Sequence, residues 1–459
     1  MTVPAADSTS AGFRRFNYRD EAAFLADLRR LAPELPFSRD FSPCARELAL
    51  PGLIFPNRLA IHPMEGADGE ADGSPGELTF RRYRRFAAGG AGLIWFEATA
   101  VRPEARANPR QLWLHAGNLD AFRRLREEAM AAVPAGRPRP ITVLQLTHSG
   151  RQSCPDSGGP APIVACPNPV LDKRPGRVIS DAELERLPGD FAAAAGLAIA
   201  AGFDSVDLKA CHGYLLGELL GARLRPGKYG GPLENRMRPL LETVEAVRDK
   251  IGPGRILASR LGVWDALPRP YGWGVDGEDP RRPDFSEPIE LAKRLAVRGV
   301  LLLDVTCGNP YFNPHVNRPF DHGFYTPSEH PLLGAAKLLA AARTIQAAVP
   351  EAAVVGTGLS WFRNFGANLA AGLVGDGWCR LAGFGRQAFA YPGFAADLLA
   401  GTGLAPGKCC LACGNCTVIM RDGGRSGCPV RDGEVYLPIY RRGREGKPKI
   451  DMSREAEHI

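Results

Sequence analysis

Short apolar runs alternate along the chain with longer stretches whose apolar residues recur at helical spacing. The runs at Leu59–His62, Gly92–Phe96, Ile141–Leu146, Ser205–Lys209, Ile256–Leu261, Val300–Val305, Ala353–Gly356 and Gly377–Leu381 read as eight strands. Helical patterns lie between them, among them Ser180–Ala201 and Glu234–Lys250. The first opens with Ser180-Asp-Ala-Glu183, a capping box in which the outer two side chains satisfy orphan backbone N–H groups. Eight strands with intervening helices predict an α/β fold, a (β/α)8 TIM barrel with insertions, over residues 46–404. An open doubly wound sheet is the competing architecture, and it usually follows its first strand with a G-x-G-x-x-G turn. Here that strand leads into His62-Pro-Met-Glu-Gly66. Residues 1–45 predict an N-terminal extension with a helix at Glu21–Leu31. Residues 405–459 predict a cysteine-rich metal-binding segment and a polar tail.

Composition narrows the function classes. With 459 residues and 45% hydrophobic content, the chain has enough apolar side chains for one large core. Its apolar runs are short and broken by small residues, so no transmembrane helix and no membrane partner are expected. The net charge of +7 comes from arginines dispersed along the chain. The densest basic run, Tyr440–Lys449, reads as a solvated tail, and no nucleic-acid partner is expected.

Four cysteines stand out by spacing: Cys410, Cys413, Cys416 and Cys428, in the frame C-x2-C-x2-C-x11-C. Four thiolates so spaced suit one metal centre, an iron–sulfur cluster or a structural zinc. Disulfides are the weaker alternative. The other seven cysteines are scattered without frame and no secretory h-region is present, which points to a reducing, cytoplasmic setting.

In a barrel the chemistry belongs to the C-terminal strand ends. Polar residues fall there: Gln145 and His148 after the third strand, Lys209, His212 and Tyr214 after the fourth, and Arg260 on the fifth. Thr357-Gly358 and Gly385-Arg386 follow the seventh and eighth, as bare backbone and a cation suited to a phosphate.

Taken together, these segments over residues 46–430 resemble the old yellow enzyme family of flavin-dependent reductases (NADH:flavin oxidoreductases). They are similar in particular to the branch related to 2,4-dienoyl-CoA reductase. The resemblance is carried by Asn57-Arg58 with Pro63-Met64, Glu97-Ala-Thr-Ala-Val101, and Gln145 with His148-x-Gly-Arg151. It is carried most specifically by Ala201-Gly-Phe-Asp204 leading to His212-Gly-Tyr214 and by Tyr229-Gly-Gly-x-x-Glu-Asn-Arg236. The cysteine frame resembles that branch's iron–sulfur ligands, with two residues rather than three between the second and third cysteines.

The resemblance implies FMN at the barrel mouth, bordered by Pro63, Met64 and Ala98, with Gln145 and Arg260 on the ring and Thr357, Gly358, Gly385 and Arg386 on the phosphate. It implies a [4Fe–4S] cluster on Cys410, Cys413, Cys416 and Cys428, with zinc as the alternative. It also implies hydride transfer from NAD(P)H, or from a partner electron-transfer protein, to a small-molecule activated alkene (an enone or enoyl substrate). Lys209 and His212 would hold the carbonyl oxygen and Tyr214 would deliver the proton, with Tyr311 and His315 as alternates. Lys209 stands where relatives commonly have histidine or tyrosine, and Glu65 where they have a small polar residue or cysteine. Three other readings compete: a flavin amine dehydrogenase with Glu65 against a cationic substrate, a Schiff-base aldolase on Lys209, and an electron conduit. A homo-oligomer is compatible with all of them.

Overall fold

The computed structural model describes residues 12–453, so the outermost residues of the expected extension and tail, 1–11 and 454–459, lie outside the described residues. Eight parallel strands close into a barrel in chain order: β1 (Leu59–Ile61), β2 (Leu93–Ala100), β3 (Ile141–Thr147), β4 (Ser205–Leu208), β5 (Leu257–Trp264), β6 (Val300–Cys307), β7 (Ala353–Gly356) and β8 (Leu381–Phe384). Pairing of β8 with β1 completes the cylinder. Helices cross between successive strands on the outside, among them Glu77–Ala88, Asp181–Ala200 and Leu233–Ile251. The predicted capping box forms: Glu183 N donates to Ser180 Oγ at 3.2 Å and Ser180 N donates to Glu183 Oε2 at 3.0 Å. Among the described residues no helix is long and apolar enough to cross a membrane.

Side chains two apart along a strand share a face, so the barrel interior is built in levels. The lower level is apolar, with Ala60, Leu93, Trp95, Val143, Ala258, Leu302, Ala353 and Leu381 packed together. A hairpin, Leu48–Leu50 against Leu53–Phe55, adds Leu48, Leu50 and Phe55 to that cluster and plugs the N-terminal end. One step up, the same alternation brings His62, Gln145, Asp207, Arg260 and Asp304 inward.

The second, fifth and sixth strands run past their expected ends, to Ala100, Trp264 and Cys307, and two larger differences concern the eighth strand and the tail. The eighth strand is Leu381–Phe384 rather than Gly377–Leu381. Gly377 turns with φ +71°, and the strand continues through Gly383, where a Cβ would lie 2.2 Å from the His62 ring. Close approach of that ring, not strand propensity, explains a glycine there. The polar tail is also not all solvated. Gly433–Arg444 is a helix with Tyr436 buried, and Asp432 before it is paired with Arg81 (2.7 Å) and Arg85 of the helix Glu77–Ala88. Within the basic run, Arg444 and Lys447 pair with Asp422.

The N-terminal helix Glu21–Leu31 forms as expected, capped by Asp20, whose Oδ1 accepts from Ala23 N at 2.8 Å. Its Phe24 is fully buried and stacks on Phe365 at 4.4 Å, while Phe16 meets Trp361 edge-on at 5.5 Å. Truncating a buried phenylalanine removes apolar burial and leaves a cavity, together about 3–5 kcal/mol. Phe24→Ala is therefore expected to lower the urea midpoint by that equivalent. An unchanged midpoint would show that the extension does not share the barrel's cooperative unfolding.

Candidate active site

A cavity of about 200 Å³ opens at the C-terminal end of the barrel. All twelve residues expected for cofactor and catalysis line it: Pro63, Met64, Ala98, Gln145, Arg260, Thr357, Gly358, Gly385 and Arg386, with Lys209, His212 and Tyr214. Of the four framed cysteines, Cys416 lines it.

Two buried carboxylates, outside the lining themselves, hold side chains that form it. Asp207 accepts from Trp95 Nε1 (2.8 Å), Gln145 Nε2 (2.5 Å) and the Arg260 backbone N–H (2.7 Å). Burial still raises its carboxyl to about 6. Asp304 faces the Nε of Arg260 at 3.2 Å and Nδ1 of His62 at 3.1 Å. Burial favours its neutral form, but the charges of Arg260 and His62 override it and hold the carboxyl below the ordinary range. The sequence gives no signal for these acids beyond their places in apolar strands. Arg260 Nε, His62 Nε2 and Arg386 Nη1 are buried without a hydrogen-bond partner among the described residues.

Backbone geometry explains how the upper residues converge. The β2–β3 register shifts between Phe96 and Thr99, so Ala98 reaches the cavity while Glu97 turns away to pair with the buried Arg82. Asp68 binds the same guanidinium, and Glu97 Oε2 accepts from Gly66 N at 2.8 Å, which fixes the loop after β1. Lys209 continues the inward face of β4 two residues after Asp207. His212 takes a left-handed φ of +63° and so returns to the cavity three residues later.

Lys209 Nζ lies 3.3 Å from the centre of the Tyr214 ring. Burial draws its ammonium down to about 8, against a partial upward pull from Cys211 and Glu65. Burial, then the charges of Arg260 and Lys209, keeps His212 far below the usual imidazole range. Asn317 Nδ2 donates to His212 Nε2 at 2.8 Å, so the neutral ring carries its proton on Nδ1. Burial, then Tyr311, holds the Tyr214 phenol well above its ordinary value, and the two hydroxyls are 3.3 Å apart. Of the two alternates, Tyr311 lines the cavity. His315 is instead engaged through Nδ1 with the Tyr325 hydroxyl at 2.6 Å.

Glu65 lines the cavity and accepts from Asn108 Nδ2 at 2.7 Å, and its burial raises the carboxyl. His148 and Arg151 belong to the scaffold: Arg151 pairs with Glu218 (2.7 Å) and Asp172. Thr357 Oγ1 is committed to the Val305 carbonyl at 3.0 Å, which leaves its backbone for ligand contact.

The cysteine segment roofs the mouth. Its helix Asn415–Arg421 contributes Cys416, Thr417, Met420 and Arg421 to the lining, and Ser426 N donates to the Gly66 carbonyl at 2.6 Å. None of the eleven cysteines is in a disulfide. Burial raises Cys410 to about 12 and also raises Cys413 and Cys428, and each of these three feels the charge of Cys416. Among the described residues no three His, Cys, Asp or Glu side chains form a single-ion site.

Comparison with known proteins agrees with the barrel fold. The NADH:flavin oxidoreductase / NADH oxidase family profile matches residues 53–270. The chain is 31% identical over 274 residues to an NADPH dehydrogenase of Bacillus velezensis, covering 58% of this chain and 74% of that one. It is 29% identical over 281 residues to the NADH:flavin oxidoreductase FG08077 of Gibberella zeae, covering 57% of this chain and 66% of that protein. Among solved structures, a 2-naphthoyl-CoA reductase in complex with 2-naphthoyl-CoA superimposes with a TM-score of 0.69 at 20% identity. That match covers 89% of this chain and 58% of that one.

Lys209 is cationic below about pH 8 and neutral above it. Its labelling by acetic anhydride, followed by mass spectrometry across pH, is therefore expected to rise with a midpoint near 8. A midpoint at the value of free lysine would remove the basis for that shift.

Proposed function

The chain belongs to the NADH:flavin oxidoreductase / NADH oxidase family and is an FMN-dependent oxidoreductase, and from that premise we propose that it passes hydride from NAD(P)H, or from a protein donor, to an activated alkene. One observation carries the reading: a flavin-type residue set and a Lys–His–Tyr donor set share one cavity. The residues fit FMN. Among the described residues the buried Nη1 of Arg386 has no partner, which suits a phosphate, and at Gly385 a Cβ would stand 2.9 Å from Met64 Sδ. Arg260, braced by Asp304, sets a cation beside Gln145 for the ring edge. Bound FMN supplies the two-electron chemistry.

The protein's own groups do the rest. Lys209 as ammonium and His212 through Nδ1–H donate to the acceptor's carbonyl oxygen, where charge develops. Tyr214 keeps its proton at neutral pH and delivers it to the α-carbon. Amine oxidation is less well supported, because Glu65 is hydrogen-bonded to Asn108 and shifted toward its neutral form. Cys410, Cys413, Cys416 and Cys428 hold a [4Fe–4S] cluster in this reading, with zinc as the alternative. Its support is the four-thiol frame in the sequence, with Cys416 of that frame in the cavity lining.

The protein is expected to copurify with FMN, and Arg260→Ala to lose flavin or lower its potential. A colourless preparation that FMN cannot reconstitute would overturn the assignment. Tyr214→Phe is expected to leave flavin reduction by NAD(P)H intact while slowing oxidation by 2-cyclohexenone about 10²–10⁴-fold. Equal oxidative rates in stopped flow would move the acid to Tyr311. Anaerobic analysis is expected to give about four irons per chain. One zinc without iron or sulfide would reverse the metal assignment.

A further inference from the structure

Five cationic side chains line the cavity, Lys209, Arg260, Arg318, Arg386 and Arg421, against one carboxylate, Glu65. Three of the five have a partner or a role. Arg260 faces Asp304, Lys209 shares its surroundings with Glu65, and Arg386 is the phosphate cation of the reading above. Arg318 and Arg421 remain. Among the described residues neither has a carboxylate partner. Arg421 Nη2 donates to the Pro310 carbonyl at 3.3 Å, and its guanidinium lies 4.7 Å from the centre of the Phe324 ring, which fixes its position without neutralising it. Burial, then the charges of Arg386 and Arg421, lowers Arg318, against a partial upward pull from Cys416. Arg318 is half-buried and Arg421 exposed, and two guanidiniums in one cavity lining without a carboxylate partner favour an anion between them.

We propose that Arg318 and Arg421 form an anion-binding subsite at the outer edge of the cavity, and that the activated alkene reduced here carries a carboxylate. This rests on the reading of the protein as an alkene reductase. Arg421 Nη2 holds the carbonyl of Pro310, the residue before Tyr311, and the Tyr311 hydroxyl stands 3.3 Å from that of Tyr214. The subsite therefore lies one side chain beyond the proton donor, within reach of a carboxylate on the substrate's own skeleton. The nucleotide phosphates of a coenzyme A thioester lie many bonds farther from the reacting carbons. Guanidinium forks also match the planar carboxylate.

The test uses the FMN-loaded protein and two matched pairs of probes. Benzoate and benzamide, which undergo no reduction, report the subsite alone. 3-Benzoylacrylate and its methyl ester report it together with turnover. Calorimetry is expected to show benzoate and benzoylacrylate bound more tightly than their neutral partners, with a preference that weakens as salt is raised. Arg318→Gln and Arg421→Gln are each expected to reduce the acid-over-neutral preference about tenfold to a hundredfold, as for a hydrogen bond to a charged group. Arg421→Lys, which keeps the charge without the fork, is expected to restore part of it. FMN and iron content are expected to stay at the levels of the unsubstituted protein in all three variants.

Absence of preference for benzoate over benzamide in the unsubstituted protein would overturn the subsite. So would variants that lose FMN or iron while keeping the preference, because the arginines would then serve the phosphate or the cluster. If benzoate is preferred but neither benzoylacrylate nor its ester is reduced, the subsite stands and the alkene-reductase reading fails. That outcome overturns the carboxylate-alkene assignment as well.

Discussion

Two buried carboxylates organise the working end of this barrel. Strand register sets Asp207 beside Gln145 and Asp304 beside Arg260, so each acid meets its partner across a single pair of neighbouring strands. An ionised acid in a barrel interior is costly unless it is paired and hydrogen-bonded, and here cation and amide answer it. In return, Gln145, Arg260 and His62 are held where packing alone would leave long polar side chains free to choose rotamers. Preorganisation of the mouth thus begins one level beneath it.

A second layer of constraint comes from outside the cylinder. Arg82, on a surface-layer helix, reaches inward to Asp68 and Glu97, and Glu97 holds the backbone of the loop after β1. Three ionic groups are removed from water there, and they tie helix, strand and loop into one unit. Burial raises Glu97 even beside Arg82, which draws the cluster's second acid toward its neutral form and eases the excess of two carboxylates over one guanidinium. The C-terminal helix docks against the same outer helix through Asp432, and the roof over the cavity is thereby anchored to the element that shapes its wall.

Much of this was legible in the sequence because the barrel is periodic. Counting by twos from the apolar members of each strand leads to Gln145, Lys209, Arg260 and Thr357, and the motif order supplies His212, Tyr214 and Gly385. The rest was hidden for identifiable reasons. Arg318 and Arg421 are single arginines in irregular or short segments, where no period ties a residue to a face. Asp207 and Asp304 sit in apolar runs whose hydrophobicity masks them. The eighth strand was displaced because its Gly383 answers the His62 ring rather than local propensity. The helix Gly433–Arg444 reads as tail because its surface is basic, and its docking depends on Asp432 and Tyr436 meeting partners far away in the chain.

The roof follows all eight strands in chain order, and this bears on how the protein is made. During synthesis from the N-terminus the cylinder can close as soon as β8 has emerged, with its buried carboxylates already paired. At that moment the mouth is an open bowl. Residues 405–453 then fold over it and seat Cys416 and Arg421 beside groups formed earlier. A chain that ends after β8 therefore carries every strand of the cylinder and lacks the side chains that complete the pocket.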